Sequence, residues 1–471
     1  MSTSLPDAVV GLGAPRESPL RVSTAGAAFP TGLRMTTGSP TGPSTPRSGE
    51  PSTDLPDVVP DLVVADGPVG GSGTGPLLEV LAPTTGERLL SVEDTPPDLV
   101  QRIVSDTAAT SRSDWAWLSA EDRARFLFAI ADVLADHVRA LAVTAALTTG
   151  RPVAAGYTLD APAAHAAAFS AAGWADKLEA VGAAHRPGGG VVGVLTTWRT
   201  STADALTAIV AGLATGCGVV LRARPAAAAS ARQLVRLVEE AGVPHGLVRV
   251  APGADQATDA RLWAHEDLVA VRADGSLDDL RSVGIALAHA GTPLLQRLDA
   301  PHVDVVLPEA DLEEVTAALV AASVGGAHER SGGSRVVVAR TVADALVARV
   351  APVVARLRTG HPLDRATAVG PVPSPHLARA GHEALDSALP SGLPEAGWWT
   401  PPGVVTLGRH SAWPPPGPVL GVRTIRSPAD VLPHLEGAGS VTVWGGSLGT
   451  DVPAPPDPRR DALDLLRACR G

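Results

Sequence analysis

Cysteine is nearly absent. Cys217 and Cys469 are the only two in 471 residues, which excludes a disulfide framework and a metal cluster built from thiolates. Lysine is reduced to Lys177 while arginine is plentiful. This pattern suits the codon bias of a GC-rich genome, so an arginine in place of lysine says little about chemistry. Positive charge is also in deficit. The formal net charge of -11 argues against nonspecific binding to nucleic acid, which needs a basic surface. No window is apolar, uncharged and long enough for a membrane span, so none is expected. The opening residues MSTSLPDAVVGLGAP have no basic start before an apolar core. No secretory signal is therefore expected, and a cytoplasmic location follows as the expectation. There is no internal repeat.

What the chain does have is length and apolar content. At 45% apolar it can fill two cores of about 100–200 residues each. Residues 1–75 are rich in Pro, Gly, Ser and Thr without a sustained apolar period. Such a segment buries too little surface to offset its chain entropy, and a disordered tail is expected there. From Leu77, LLEVLAPTTGERLLSV predicts two short strands around a Thr-Gly turn. Helical patterns follow to about Ala180, with Trp115 and Trp117 expected to pack between them and Gly150 with Pro152 ending the longest. The pattern then alternates: GGVVGVLTT, GVVLRA, GLVRVAPG and VAVRA as strands, with helices between. A second series starts with PLLQRL and HVDVVL, continues through the helix DLEEVTAALVAA to RVVVA, and ends with VVTLG, PVLGVRTI and SVTVWGG. Alternation of this kind implies right-handed crossovers, parallel sheets and two α/β lobes with a cleft between them. Ligands in such sheets sit at the carboxyl ends of the strands.

Several segments together resemble the aldehyde dehydrogenase superfamily. AGWADKLEA looks like the helix before its first nucleotide-binding strand, and PGGGVVGVLTTW like the segment leading to its Trp-Asn pair. AIVAGLATGCGVVLRA, EEAGVPHGLVRVAPG, PEADLEEV, SGGSRVVV and GPVLGV are similar to its later landmarks. The resemblance runs from about Leu77 to Gly446 and implies two Rossmann-like α/β lobes. It divides the chain into a dinucleotide-binding-like domain at 76–293, a catalytic-like domain at 294–450 and a tail at 451–471. A reduced oligomerisation hairpin falls at 178–190.

The positions that carry the family's chemistry depart from its pattern. The resemblance places Arg330 where the family has its nucleophilic cysteine, five residues before the arginine of Gly333-Ser334-Arg335. A guanidinium is a permanent cation with no electron pair to offer a carbonyl. Ser331 is displaced by one residue, and His328 and Glu329 read as parts of a solvated turn. The family's general base aligns with Arg297, and the glycines after it with Asp299 and Ala300. The asparagine that helps hold the oxyanion is Arg199, after Trp198. Loss of nucleophile and base together removes the acyl-transfer route, because the two act as a unit.

For the cofactor, Arg222 stands at the family's ribose-facing lysine, Pro225 replaces the acid three positions on, and Arg222 with Arg224 would favour a 2′-phosphate. Gly275 and Ser276 match the start of the pyrophosphate-facing helix, amid Asp274, Asp278 and Asp279, while Asp255 replaces a glycine of the adenine pocket. Helix capping, with Asp274 as an N-cap, accounts for these acids. Pro414 and Pro416 replace the Glu-x-Phe before Gly417-Pro418-Val419. The resemblance thus implies a vestigial cofactor surface of Trp198, Arg222, Gly275 and Ser276, with NAD or NADP held weakly or lost, and no metal. The trimmed hairpin and missing C-terminal strand imply a partner that completes the fold, a hetero-oligomer with an active paralogue. Two alternatives stay open: an active NAD(P)-dependent oxidoreductase with rewired residues, and a nucleotide or anion binder using Arg199, Arg297 and Arg330.

Overall fold

The computed structural model describes residues 75–113, 115–178, 189–298, 300–323, 334–385, 395–436, 438 and 440–447, all within the unit Leu55–Gly471. The expectations for residues 1–74 and 451–471, for most of the hairpin at 178–190 and for the turn around Arg330 lie outside these residues. An antiparallel pair, β1 (Leu77–Leu81) and β2 (Arg88–Glu93), opens the chain. Helix α1 (Pro97–Ser113), α2 (Ala120–Thr149) and α3 (Ala161–Ala175) follow. Ser119 caps the start of α2, its hydroxyl accepting from the Asp122 amide at 3.0 Å.

Gly150 ends α2 in the left-handed region at φ 82°. A Cβ there would press on the Pro371 carbonyl as well as forcing a conformation that L side chains avoid. Gly150→Ala is therefore expected to cost about 1–3 kcal/mol, read as a lower midpoint in urea. An unchanged midpoint would mean that this helix end is not held as described. Of the two tryptophans before α2, Trp115 is fully buried and donates to the Leu213 carbonyl at 3.0 Å. Trp117 is not a packing residue: 74% of it is exposed.

The first sheet comprises β3 (Val191–Thr196), β4 (Gly218–Ala223), β5 (Val248–Pro252), β6 (Leu268–Gly275) and β7 (Leu294–Leu298), all parallel and in the order β5-β4-β3-β6-β7. Between them run α4 (Thr202–Ala214), α5 (Pro225–Glu240), α6 (Gln256–Trp263) and α7 (Leu277–Ala288). Every residue of β3, β4 and β6 is buried. Strands covered on both faces need apolar side chains on both, which explains their continuous apolar runs. β7 corrects the sequence reading, which groups it with the second series. It pairs with β6 from Val271↔Leu294 to Gly275↔Leu298, so the first sheet extends past 293.

The second sheet is also parallel. It contains β8 (His302–Val306), β9 (Ser334–Ala339), β10 (Gly403–Leu407), β11 (Val419–Ile425) and β12 (Ser440–Trp444), in the order β10-β11-β9-β8-β12. Helices α8 (Leu312–Ser323), α9 (Arg340–Val354) and α10 (Pro375–Leu385) belong to this half. One face of this sheet packs Val306, Val336, Val338 and Leu420 on α8 and α9. No helix among the described residues is long and apolar enough to cross a membrane.

Candidate functional site

In the first sheet the chain runs from β3 to β4 and β5 on one side, then returns to β6 and β7 on the other. The switch point lies between β3 and β6, and a crevice opens there beyond the carboxyl ends of the strands. Here the crevice holds charges from three elements. Asp204 sits in the first turn of α4, where Ser201 is the N-cap and donates to its carboxylate at 2.8 Å. Arg297 of β7 donates to the same carboxylate at 2.6 Å, and Arg272 of β6 reaches it at 3.5 Å. Arg272 also meets Asp274 at 3.4 Å. The side chains of Arg272 and Asp274 are each only 6% exposed. Arg297 is thus engaged by an acid of its own chain.

Burial works to raise the Asp204 carboxyl, but Arg297 and Arg272 outweigh it and hold the group below its ordinary value. Asp274 goes the other way, pushed up by burial and by Asp204 against the pull of Arg272. It is not an N-cap. Ser276 caps α7 instead, in a reciprocal box with Asp279: the Asp279 amide donates to the Ser276 hydroxyl at 3.2 Å, and the Asp279 carboxylate accepts the Ser276 amide at 3.2 Å. The start of this helix thus carries a carboxylate on its N-cap amide, itself paired with Arg224 at 2.9 Å. A Cβ on Gly275 would lie 3.0 Å from the Asp279 Cβ, so glycine permits this close approach. Asp255 does cap a helix, α6, accepting from the Thr258 amide at 2.8 Å.

Burial also works against Asp279, yet bonds from Ser276 and Arg224 depress it. Depressed carboxyls such as Asp204 and Asp279 contribute stability that is present above their unfolded value, about pH 4, and lost as pH falls through the folded one. Asp274, raised, has the opposite sign. Asp255 and Asp430 are depressed as well, by bonds from Thr258 and from the amides of Ser427 and Arg426, so the melting temperature is expected to decline below about pH 4. A melting temperature that holds flat or rises there would contradict the pairing.

Arg222 faces inward. It is 0% exposed and bonds Asp259 at 2.6 Å, the Pro252 carbonyl at 2.7 Å and Asp94 at 3.5 Å. Arg224 meets the second oxygen of Asp259 at 2.8 Å. Trp198 and Arg199 follow β3, the guanidinium carbon 4.3 Å from the indole centroid. They line a cavity of about 30 Å³ with Arg151, Asp160, Thr196 and Ser230, in which Arg151 and Asp160 pair at 3.0 Å. Arg297 is not among its lining residues. Arg330, His328, Glu329, Ser331 and Asp299 lie outside the described residues. β9 contains the predicted strand RVVVA and begins one residue earlier, at Ser334.

Ser105, His265 and Asp267 form a separate grouping that resembles a hydrolytic triad without its chemistry. His265 Nδ1 accepts the Asp267 amide at 3.1 Å, so the ring proton is on Nε2 and points at the Ser105 hydroxyl 3.1 Å away. An imidazole in that tautomer cannot take the serine proton.

The model of the family described as aldehyde dehydrogenase family matches residues 71–394. The chain belongs to the aldehyde dehydrogenase family. Among its relatives, betaine aldehyde dehydrogenase 2 of Rhizobium meliloti is 26% identical over 394 residues, spanning 76% of this chain and 79% of that one. An aldehyde dehydrogenase of Enchytraeus buchholzi is 28% identical over 350 residues, 70% of this chain and 68% of that one. Solved structures share the fold. HpcC from Thermus thermophilus superposes with a TM-score of 0.72 at 22% identity, over 83% of this chain and 84% of its own. PnpE from Pseudomonas sp. WBC-3, in complex with nicotinamide adenine dinucleotide, gives 0.69 at 20% identity, over 84% and 85%.

Sequence reasoning missed Asp204, Arg272, Asp259 and Asp94. A signal was present: Arg222 and Arg272 interrupt otherwise apolar buried strands, and a buried arginine needs an acid. Asp204, following Ser201 by three residues, reads locally as a capping acid and no more.

Proposed function

We propose that this family member does not oxidise aldehydes and serves as a scaffold or regulatory subunit for an active paralogue. One observation supports the reading: Arg297, which the resemblance would put at the family's general-base position, is held by Asp204 at 2.6 Å. A guanidinium cannot accept a proton at neutral pH, and this one is committed to structure. The residues present also fit a dinucleotide poorly. Arg222 is consumed by Asp259, Asp94 and backbone carbonyls, and the carboxylate of Asp279 takes the Ser276 amide and sets a negative charge at the helix start, where it opposes a diphosphate. No step through a nicotinamide follows from these residues.

The scaffold role is tested by purifying the tagged full chain from its native cells. A second, cysteine-bearing aldehyde dehydrogenase is expected in fixed ratio with it. A stable, monodisperse monomer without such a partner would overturn that role. The second reading, a working NAD(P)-dependent dehydrogenase with rewired residues, is favoured by the intact parallel sheet and the retained Trp198. It requires turnover that is lost when Glu329 or Arg330 is replaced.

A further inference from the structure

In the second sheet Arg335 of β9 and Arg423 of β11 lie on the same side as Val337 and Ile425, and both guanidiniums gather at Trp413. Arg423 is 4.2 Å and Arg335 5.4 Å from its ring centroid. Gly421 faces Arg335 across the ladder, and a Cβ there would meet the Trp413 ring at 2.9 Å, so glycine makes room for the indole. Arg423 is only 8% exposed. Its partners are neutral: the Ser411 carbonyl at 2.5 Å and His434 Nδ1 at 3.4 Å, with Nε left unbonded. Arg335 donates to the backbone carbonyl of Glu436 at 3.4 Å.

Among the described residues neither guanidinium has a carboxylate in ion-pair reach. The carboxylate of Asp430, nearby in sequence, is spent on the amides of Arg426 and Ser427. Burial lowers the pKa of both arginines, and Arg423 lowers that of Arg335 further. Three other buried arginines, Arg222, Arg151 and Arg272, are paired with acids, and buried Arg123 donates to the Ala214 and Leu118 carbonyls with no second cation beside it at an aromatic ring among the described residues. Two adjacent cations, one of them buried, with neutral partners only, are costly unless an anion joins them.

We propose that Arg335, Arg423 and Trp413 form a binding site for the phosphate group of a small molecule. Two fork-shaped donors favour a phosphate, which carries about -1.5 to -2 at pH 7, over a carboxylate with a single charge. The site lies outside the crevice of the first sheet and does not depend on whether that crevice binds a dinucleotide. Calorimetric titrations of the full chain with inorganic phosphate, glycerol 3-phosphate and acetate, at matched ionic strength, test it. Saturable binding of one or both phosphates in preference to acetate is expected, and comparing the two phosphates separates a free ion from an ester. Arg335→Met and, independently, Arg423→Met should each weaken that binding about tenfold or more. If acetate binds as well as phosphate, if neither phosphate binds, or if binding survives intact in whichever variants fold, the site is not there.

Discussion

The purified protein, given NAD or NADP and a panel of aldehydes, is expected to turn over at least about 10⁴-fold more slowly than an active member of its family. The reaction has three requirements. A thiolate must attack the carbonyl, a base must take a proton from water, and a dinucleotide must accept hydride. The resemblance in sequence would put Arg330 at the first position and Arg297 at the second. The third requirement meets the inward-facing Arg222 and the Asp279 carboxylate on α7. Groups that act together are not lost additively, so Arg330→Cys alone is expected to restore nothing measurable. Steady reduction of either nicotinamide by the unmodified chain, abolished by changing Glu329, would replace this account with one of rewired catalysis.

Asp259→Ala is expected to lose about 3–5 kcal/mol of stability, the loss typical when one partner of a buried ion pair is removed. Asp259 is 4% exposed at its side chain and serves two arginines, Arg222 at 2.6 Å and Arg224 at 2.8 Å. Without it, Arg222 keeps only Asp94 at 3.5 Å and backbone carbonyls around a fully buried cation. Replacing Asp259 and Arg222 together by Leu and Met should recover much of the loss, because an apolar pair leaves no charge to compensate. Urea unfolding measures both. If Asp259→Ala unfolds at the wild-type midpoint, Arg222 is not held as the structure has it.

The two-lobed parallel architecture was legible because the strands are buried on both faces and read as apolar runs between helices, as VVGVLT and GVVLRA do. Which sheet a strand joins was not legible. LLQRL carries no mark that it pairs with β6 rather than with the strand that follows it in sequence. Local capping chemistry was half legible: the acids around Gly275 belong to a helix start, but the cap is Ser276 and its partner Asp279. Asp274, one strand position from the end of β6, is drawn into the interior by Arg272. The ion pairs around Asp204 were not legible at all. Arg297 and Asp204 are 93 residues apart in sequence, and Arg272 and Asp204 are 68 apart. Substituted motif residues announced that something had changed, whereas only the fold shows what the new side chains touch.

At the centre stands the claim that the chain's own ion pairs occupy the switch-point crevice where its relatives' fold offers room for a dinucleotide. Titration calorimetry with NAD and NADP tests it most directly, since it needs no substrate and no turnover. The account predicts no saturable binding tighter than about 1 mM for either. Saturable binding with a dissociation constant in the micromolar range, weakened when Trp198 or Ser276 is replaced, would contradict it.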